Sequence, residues 1–168
     1  MKLNYFAFGS NLSSPRLLQR LPGAEVHCVA TLERHQLRWH KNSRDLSGKC
    51  DIVATDDPRD IVYGVVYLMT HEEGLELDRY ETADFGYQRK QVEVNALHGD
   101  TIEAFTYFAR DINRDRQPYH WYKEHVLRGA LEHDFPPHYV ELIRSTESID
   151  DHDAERHRRE LAIYPEPL

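Results

Sequence analysis

Two short stretches of this chain carry groups whose types and spacing suit chemistry. The first is Gly9-Ser10-Asn11, which interrupts an aromatic, strand-like run just before a leucine-bearing helical one. A helix N-terminus offers unpaired N–H groups and a partial positive charge, and so favours anions. A glycine there lets the backbone come close to a ligand. On its own the tripeptide reads more readily as an ordinary strand-to-helix turn. The second is Glu81, four residues after Leu77 and on the same helical face, so that a buried Leu77 aims it inward. Glu81 closes its helix, where the macrodipole disfavours negative charge, and partial burial acts in the same direction. A carboxyl group so placed can take and return a proton near neutral pH. The plain alternative is an exposed glutamate at a frayed helix end.

Other chemistries find less support. The 11 histidines are scattered, without His-Glu-x-x-His, and Asp151-His152-Asp153 lies in an acidic tail with no second cluster, so no metal is expected. Cys28 and Cys50 fit no zinc or redox spacing and read as buried free thiols. With 29 acidic and 21 basic residues the net charge is −8, a field that repels phosphate backbones and argues against nucleic acid. The basic run Arg156-His157-Arg158-Arg159 sits among Asp150, Asp151, Asp153 and Glu155 and reads as a solvated helix face. The longest apolar run, Ile61 to Met69, is strand length, far short of the roughly 20 residues a membrane span requires. Met1-Lys2-Leu3-Asn4-Tyr5 shows neither an apolar h-region nor a small-residue cleavage site, so a cytoplasmic protein is expected.

The elements that must hold these groups follow from patterning. Leu3 to Phe8 reads as a strand, and a helix starts near Ser13 or Ser14 with Pro15 just inside and Pro22-Gly23 as its stop. Ala24 to His40 is β-like, with Val26, Cys28 and Ala30 alternating against Glu25, His27 and Val29. Lys41 to Lys49 is a polar loop, and Cys50 to Ala54 is a short strand. Ile61 to Met69, apolar throughout, predicts a central strand covered on both faces. Thr70-His71-Glu72-Glu73 is a capping box that starts a helix running to Tyr80 or Glu81. A hairpin follows, turning at His98-Gly99-Asp100, and the last third is helical over about 118–132, 137–144 and 153–161. The order β-α-β-β-β-α-β-β-α-α, without repeats or linkers, predicts one α+β domain over residues 1–168, a mixed sheet curled into a small barrel flanked by helices. Residues 146–168 form a charged C-terminal extension.

Taken together, these segments resemble one family. Tyr5-Phe6-Ala7-Phe8-Gly9-Ser10-Asn11-Leu12 is similar to the N-terminal signature Tyr-x-x-Tyr-Gly-Ser-Asn-Leu of γ-glutamyl cyclotransferases, an AIG2-like superfamily. Val62-Tyr63-Gly64-Val65-Val66-Tyr67 resembles the family's central strand, and Leu77-Asp78-Arg79-Tyr80-Glu81 its Leu-Asp-x-x-Glu motif. Tyr122-Lys123 with Gly129-Ala130, then Pro136 or Pro137 with Tyr139, follow in matching order, so the likeness spans about residues 3–144. Phe8 departs from it, standing where the second tyrosine is usual.

The resemblance implies the barrel fold and a cofactor-independent acyl-transfer activity, lyase-like in outcome, that releases 5-oxoproline and an amine or amino acid. It implies Glu81 as catalytic acid and base. It implies a substrate-binding loop of Tyr5, Phe6, Ala7, Phe8, Gly9 and Ser10, with Asn11 capping the next helix or bracing the loop, and Tyr122 as a hydroxyl contact. Loop N–H groups suit either the substrate carboxylate or a developing oxyanion. Implied partners are a small γ-glutamyl compound and a second copy of the chain, although no exposed apolar stripe demands a dimer. The leaving group would be selected by the Lys41–Lys49 loop, the Ala83–Tyr87 segment and the Arg110–Tyr119 loop. The competing reading is a non-catalytic binding protein on the same fold, for which Phe8 leaves room.

Overall fold

A computed structural model describes residues 1–81 and 86–168. Five strands close into a barrel in the order β1 (Leu3–Ala7), β5 (Ile61–Met69), β2 (Glu25–Glu33), β6 (Tyr87–Ala96) and β7 (Thr101–Ala109). All neighbours run antiparallel except β1 and β7, which pair in parallel at Tyr5 and Phe105, so the sheet is mixed as expected. The all-apolar β5 is central between β1 and β2, and most of its side chains are buried. A separate two-stranded sheet is formed by β3 (His35–Asn42) and β4 (Gly48–Ala54).

The helices are α1 (Ser14–Arg20), α2 (His71–Glu81), α3 (His120–Glu132), α4 (Pro137–Arg144) and α5 (Ala154–Leu161), with a 3-10 turn at Ser10–Leu12 before α1. Thr70 and Glu73 form the capping box of α2: the Thr70 N–H donates to Glu73 Oε2 at 2.9 Å, and the Glu73 N–H to Thr70 Oγ1 at 3.2 Å. Leu77 is fully buried, which fixes the inward face of α2. Helix α3 presses on the 3-10 turn at Gly129, where a Cβ would lie 2.3 Å from Leu12 Cβ and 2.6 Å from the Ser13 nitrogen.

Three expectations need correction. Ala24 to His40 is two strands, not one: the strand breaks at Arg34, which has φ 56°, β3 passing into a second sheet, and the break is held by the Thr55 N–H on the Arg34 carbonyl. Neither glycine nor proline marks it. The alternation in β2 fails at its start because the register slips between Val26 and Cys28, leaving Val26 50% exposed. The polar loop is shorter than 41–49, since Lys41 pairs with Lys49 and Asn42 with Gly48.

The C-terminal stretch is also more than a solvated face. Residue Ile149 bridges to Tyr119, and Asp151 accepts from Trp121 Nε1 at 2.8 Å and from Arg156 Nε at 2.6 Å. Glu160 pairs with Arg16 of α1 at 2.6 Å, and Tyr164 Oη lies 2.7 Å from Ser13 Oγ. The charges of α5 therefore divide between water and the body of the protein.

Candidate functional site

Where β1 ends, the chain passes through Phe8 and Gly9 into the 3-10 turn, whose N-terminus opens on a cleft. The cleft is lined by Tyr5, Phe8, Gly9, Ser10 and Asn11 on this side. Cys50 from β4, Glu81 from the end of α2, Tyr87 and Tyr107 from β6 and β7, and Tyr122 from α3 complete it. Tyr5, Tyr87 and Tyr107 come from barrel strands β1, β6 and β7, which barrel closure brings together, and Cys50 comes from the separate two-stranded sheet. Parallel pairing of β1 with β7 sets Tyr5 beside Tyr107, with ring centroids 5.8 Å apart.

Glycine at position 9 is required by the approach of β4. A Cβ there would stand 2.9 Å from Cys50 Cβ and 3.3 Å from Tyr122 Oη. The Cys50 backbone ties the far wall: its N–H donates to Tyr122 Oη at 3.0 Å, and its carbonyl accepts from Tyr87 Oη at 2.7 Å.

Glu81 enters this space with a side chain 16% exposed. Asn11 Nδ2 donates to Glu81 Oε1 at 3.0 Å and to Tyr5 Oη at 3.1 Å. The guanidinium of Arg20, at the end of α1, lies 3.6 Å from the same carboxylate oxygen and 5.0 Å over the Tyr80 ring. Asp78, one turn earlier on α2, accepts from Tyr107 Oη at 2.6 Å and Arg89 Nη1 at 3.0 Å, which fastens the helix end to the sheet.

Burial pushes the hydroxyls of Tyr5, Tyr87, Tyr107 and Tyr122 well up, and the Cys50 thiol likewise. All five therefore stay protonated near neutrality and serve as donors or apolar walls, not as bases. Cys28 and Cys50 are both free, and the raised Cys50 thiol is a poor nucleophile. Among the described lining residues Glu81 is the one carboxylate, and no histidine joins it.

Of the residues singled out from sequence, Tyr5, Phe8, Gly9, Ser10, Asn11, Glu81 and Tyr122 share the cleft. Phe6 and Ala7 do not line it; both are fully buried, and the Phe6 ring sits where a Cβ on Gly64 would be. Asn11 is not a helix cap, because Ser13 holds that position in α1. It braces the site instead. Sequence reasoning missed Cys50, Tyr87, Tyr107 and Arg20. Tyr87 falls in the Ala83–Tyr87 segment, of which residues 82–85 lie outside the described residues.

Comparison with known proteins agrees with this architecture. A profile of the AIG2-like family matches residues 61–143. The human protein named gamma-glutamylcyclotransferase is 31% identical over 151 residues, covering 87% of this chain and 79% of that one. The mouse protein of the same name is 30% identical over 157 residues, covering 85% and 78%. A solved structure titled gamma-glutamyl cyclotransferase superposes with a TM-score of 0.85 at 27% identity, over 96% of this chain and 99% of that one. Coverage of that extent takes in most of residues 146–168, for which sequence motifs offered no counterpart. In sequence and in fold, the chain belongs to the γ-glutamylcyclotransferase family.

Proposed function

We propose that this protein is a γ-glutamyl cyclotransferase, in which the α-amino group of a γ-glutamyl compound attacks its own γ-carbonyl. The observation that carries the reading is Glu81, the single carboxylate among the described lining residues, held by Asn11 in the same cleft as the N-terminus of the 3-10 turn. A free α-amino group titrates at about 7.7–8.0, so the nucleophile is partly protonated near neutrality and needs a base. As the new N–C bond forms, Glu81 takes the amine proton; as the old C–N bond breaks, Glu81 returns that proton to the departing nitrogen. The products are 5-oxoproline and an amine or amino acid, and atoms balance without water or cofactor.

The substrate supplies its own nucleophile, which fits a cleft whose thiol and tyrosine hydroxyls all stay protonated. What the protein adds besides proton transfer is folding of the substrate onto itself. Well-oriented intramolecular reactions reach effective molarities of about 10⁵ M or more. The first amides of the turn have no intrahelical acceptor and suit the substrate carboxylate or the oxyanion of the tetrahedral intermediate. Tyr5, Phe8, Gly9, Ser10 and Tyr122 form the head-group pocket in this reading, and Phe6 and Ala7 fix the course of the strand behind it. Residues 1–168 act as one domain, its C-terminal segment included.

The test is release of 5-oxoproline from γ-glutamyl-amino acids, γ-glutamyl-amines and glutathione. Turnover of any one by the wild type, abolished by Glu81→Gln, supports the reading; undiminished turnover by that variant sinks the role of Glu81.

A further inference from the structure

Asn11 is 4% exposed and lines the cleft, yet its Oδ1 has no hydrogen-bond partner among the described residues. Buried polar side-chain atoms are nearly always partnered, and an exception at a site marks where something else completes the bond. The orientation of the amide is not arbitrary. Both Nδ2 hydrogens are committed, one to Tyr5 Oη at 3.1 Å and one to Glu81 Oε1 at 3.0 Å. Turned over, the amide would set its oxygen against the carboxylate, acceptor against acceptor. Glu81 therefore fixes which end of Asn11 is left over, and it is the accepting end.

We propose that Asn11 Oδ1 accepts one N–H of the substrate's α-amino group while Glu81 receives the other. The proposal deepens the cyclisation reading above and rests on it. A neutral amine carries two N–H bonds and one lone pair besides its bond to carbon. With both N–H bonds held by adjacent acceptors and the carbon held by the head-group pocket, the lone pair has one direction left, and that direction selects the face of the γ-carbonyl. When the N–C bond forms, the proton facing Glu81 leaves to its carboxylate. The hydrogen facing Asn11 stays on nitrogen and becomes the lactam N–H of 5-oxoproline, still on the same acceptor. One side chain thus sets the carboxylate with its donors and the nucleophile with its acceptor.

The experiment compares substrates with analogues that lack only the α-amino group. The pairs γ-glutamyl-L-alanine with glutaryl-L-alanine, and γ-glutamyl-butylamide with glutaryl-butylamide, cover both classes of leaving group. In Asn11→Ala, kcat/KM for the γ-glutamyl member should fall about 10- to 100-fold, as for loss of a buried hydrogen bond at a reacting group. The inhibition constant of its glutaryl partner should stay within about twofold, because that molecule has no amine to lose. Equal weakening of both, or an unchanged kcat/KM, overturns the proposal; so does an unchanged dissociation constant for γ-glutamyl-L-alanine when Asn11→Ala is added to the inactive Glu81→Gln, since an asparagine that only braces Glu81 would not alter binding of the amine.

Should the alanine variant not fold, Asn11→Asp in the Glu81→Gln background keeps the shape and keeps an acceptor at this position. The dissociation constant of γ-glutamyl-L-alanine should then stay at or below that of Glu81→Gln alone; a weakening that glutaryl-L-alanine does not share overturns the proposal. Absence of 5-oxoproline release by the wild type from every compound overturns the cyclisation reading itself, and this inference falls with it.

Discussion

The cleft and the C-terminal cluster are both knots of buried polar side chains anchored on α3, yet they are wired in opposite ways. In the cluster, acids meet bases. Asp151 lies between Arg156 and Trp121, and Glu160 between Arg16 and His125. The hydrogen bonds from Arg156 hold the Asp151 carboxyl far below the usual carboxylate range. Burial pushes Glu160 up, but His125 and Arg16 outweigh it and hold its carboxyl down. In the cleft the polar groups lean to one side: Asn11 spends its donors on Glu81 and Tyr5, and its acceptor is left buried without a partner among the described residues. The Asp151 knot is closed and acts as a strut, whereas the cleft leaves an acceptor over. Arg16 Nε, beside Glu160, also lacks a partner among the described residues, but it is a donor and Arg16 does not line the cleft.

The comparison breaks most sharply at Glu81. Glu81→Gln keeps the shape of the side chain and should lower kcat for 5-oxoproline release by about 10³-fold, the scale of general acid–base catalysis, with the thermal midpoint nearly unchanged. The mirror experiment is Asp151→Ala. Removing one partner of a buried ion pair that also serves Trp121 should cost about 3 kcal/mol, a fall of roughly 6–12 °C in Tm, while kcat per folded molecule stays at the wild-type value. If Asp151→Ala lowered kcat at permissive temperature, or Glu81→Gln lowered Tm instead of kcat, the separation of strut and site would collapse.

A smaller effect sharpens the same contrast through pH. Burial lowers the imidazole of His125 to about 4, and Arg16 Nη1 donates to its Nε2 at 3.0 Å. The same Nε2 lies 3.2 Å from Glu160 Oε2, and Nδ1 lies 2.6 Å from Tyr164 Oη. Between the unfolded value near 6.5 and the folded value near 4, the unfolded chain binds the extra proton, so stability falls as pH drops through that window. The loss should reach about 2–3 kcal/mol by pH 4, read as a fall in Tm, and His125→Gln should flatten it. A wild-type Tm that holds steady from pH 6.5 to 4 would contradict the assignment. The smallest effect belongs to Phe8→Tyr, which restores the family's usual hydroxyl at a cleft-lining position. If the head group is held mainly by backbone, kcat/KM should change less than about threefold; a tenfold rise would show that the hydroxyl matters.

Periodicity alone favours a plain turn at Gly9-Ser10-Asn11 and an exposed Glu81; the family resemblance made much of the site legible, and its motifs could be matched because they are local. The glycine break after β1, the capping box at Thr70 and Glu73, and the spacing from Leu77 to Glu81 are each set within one element. The fold was legible for a related reason: the all-apolar run at 61–69 had to be covered on both faces. Tyr87, Tyr107, Cys50 and Arg20 were not legible, because each joins the site through a pairing between distant segments. Tyr107 read simply as one of the apolar residues of a returning strand. The Arg34 break escaped because a non-glycine residue at positive φ leaves no mark in sequence. The tail escaped because charges that pair across 144 positions, as Arg16 and Glu160 do, look like charges that face water.

Strand β1 finds its neighbours only late in the chain. Its antiparallel partner is β5 and its parallel one is β7, and Thr106 Oγ1 donates to the Phe6 carbonyl at 2.7 Å from a hundred residues away. During synthesis, therefore, the first strand to emerge waits with both edges bare until β5 is available and with one edge bare until β7, and the turn that follows it waits longer still for α3. Non-local pairing of this kind slows folding and leaves an apolar segment exposed to other chains meanwhile. The head-group loop is thus the oldest part of the nascent polypeptide and among the last to take its final shape, and a ribosome stalled before about residue 110 would hold a chain with no cleft at all.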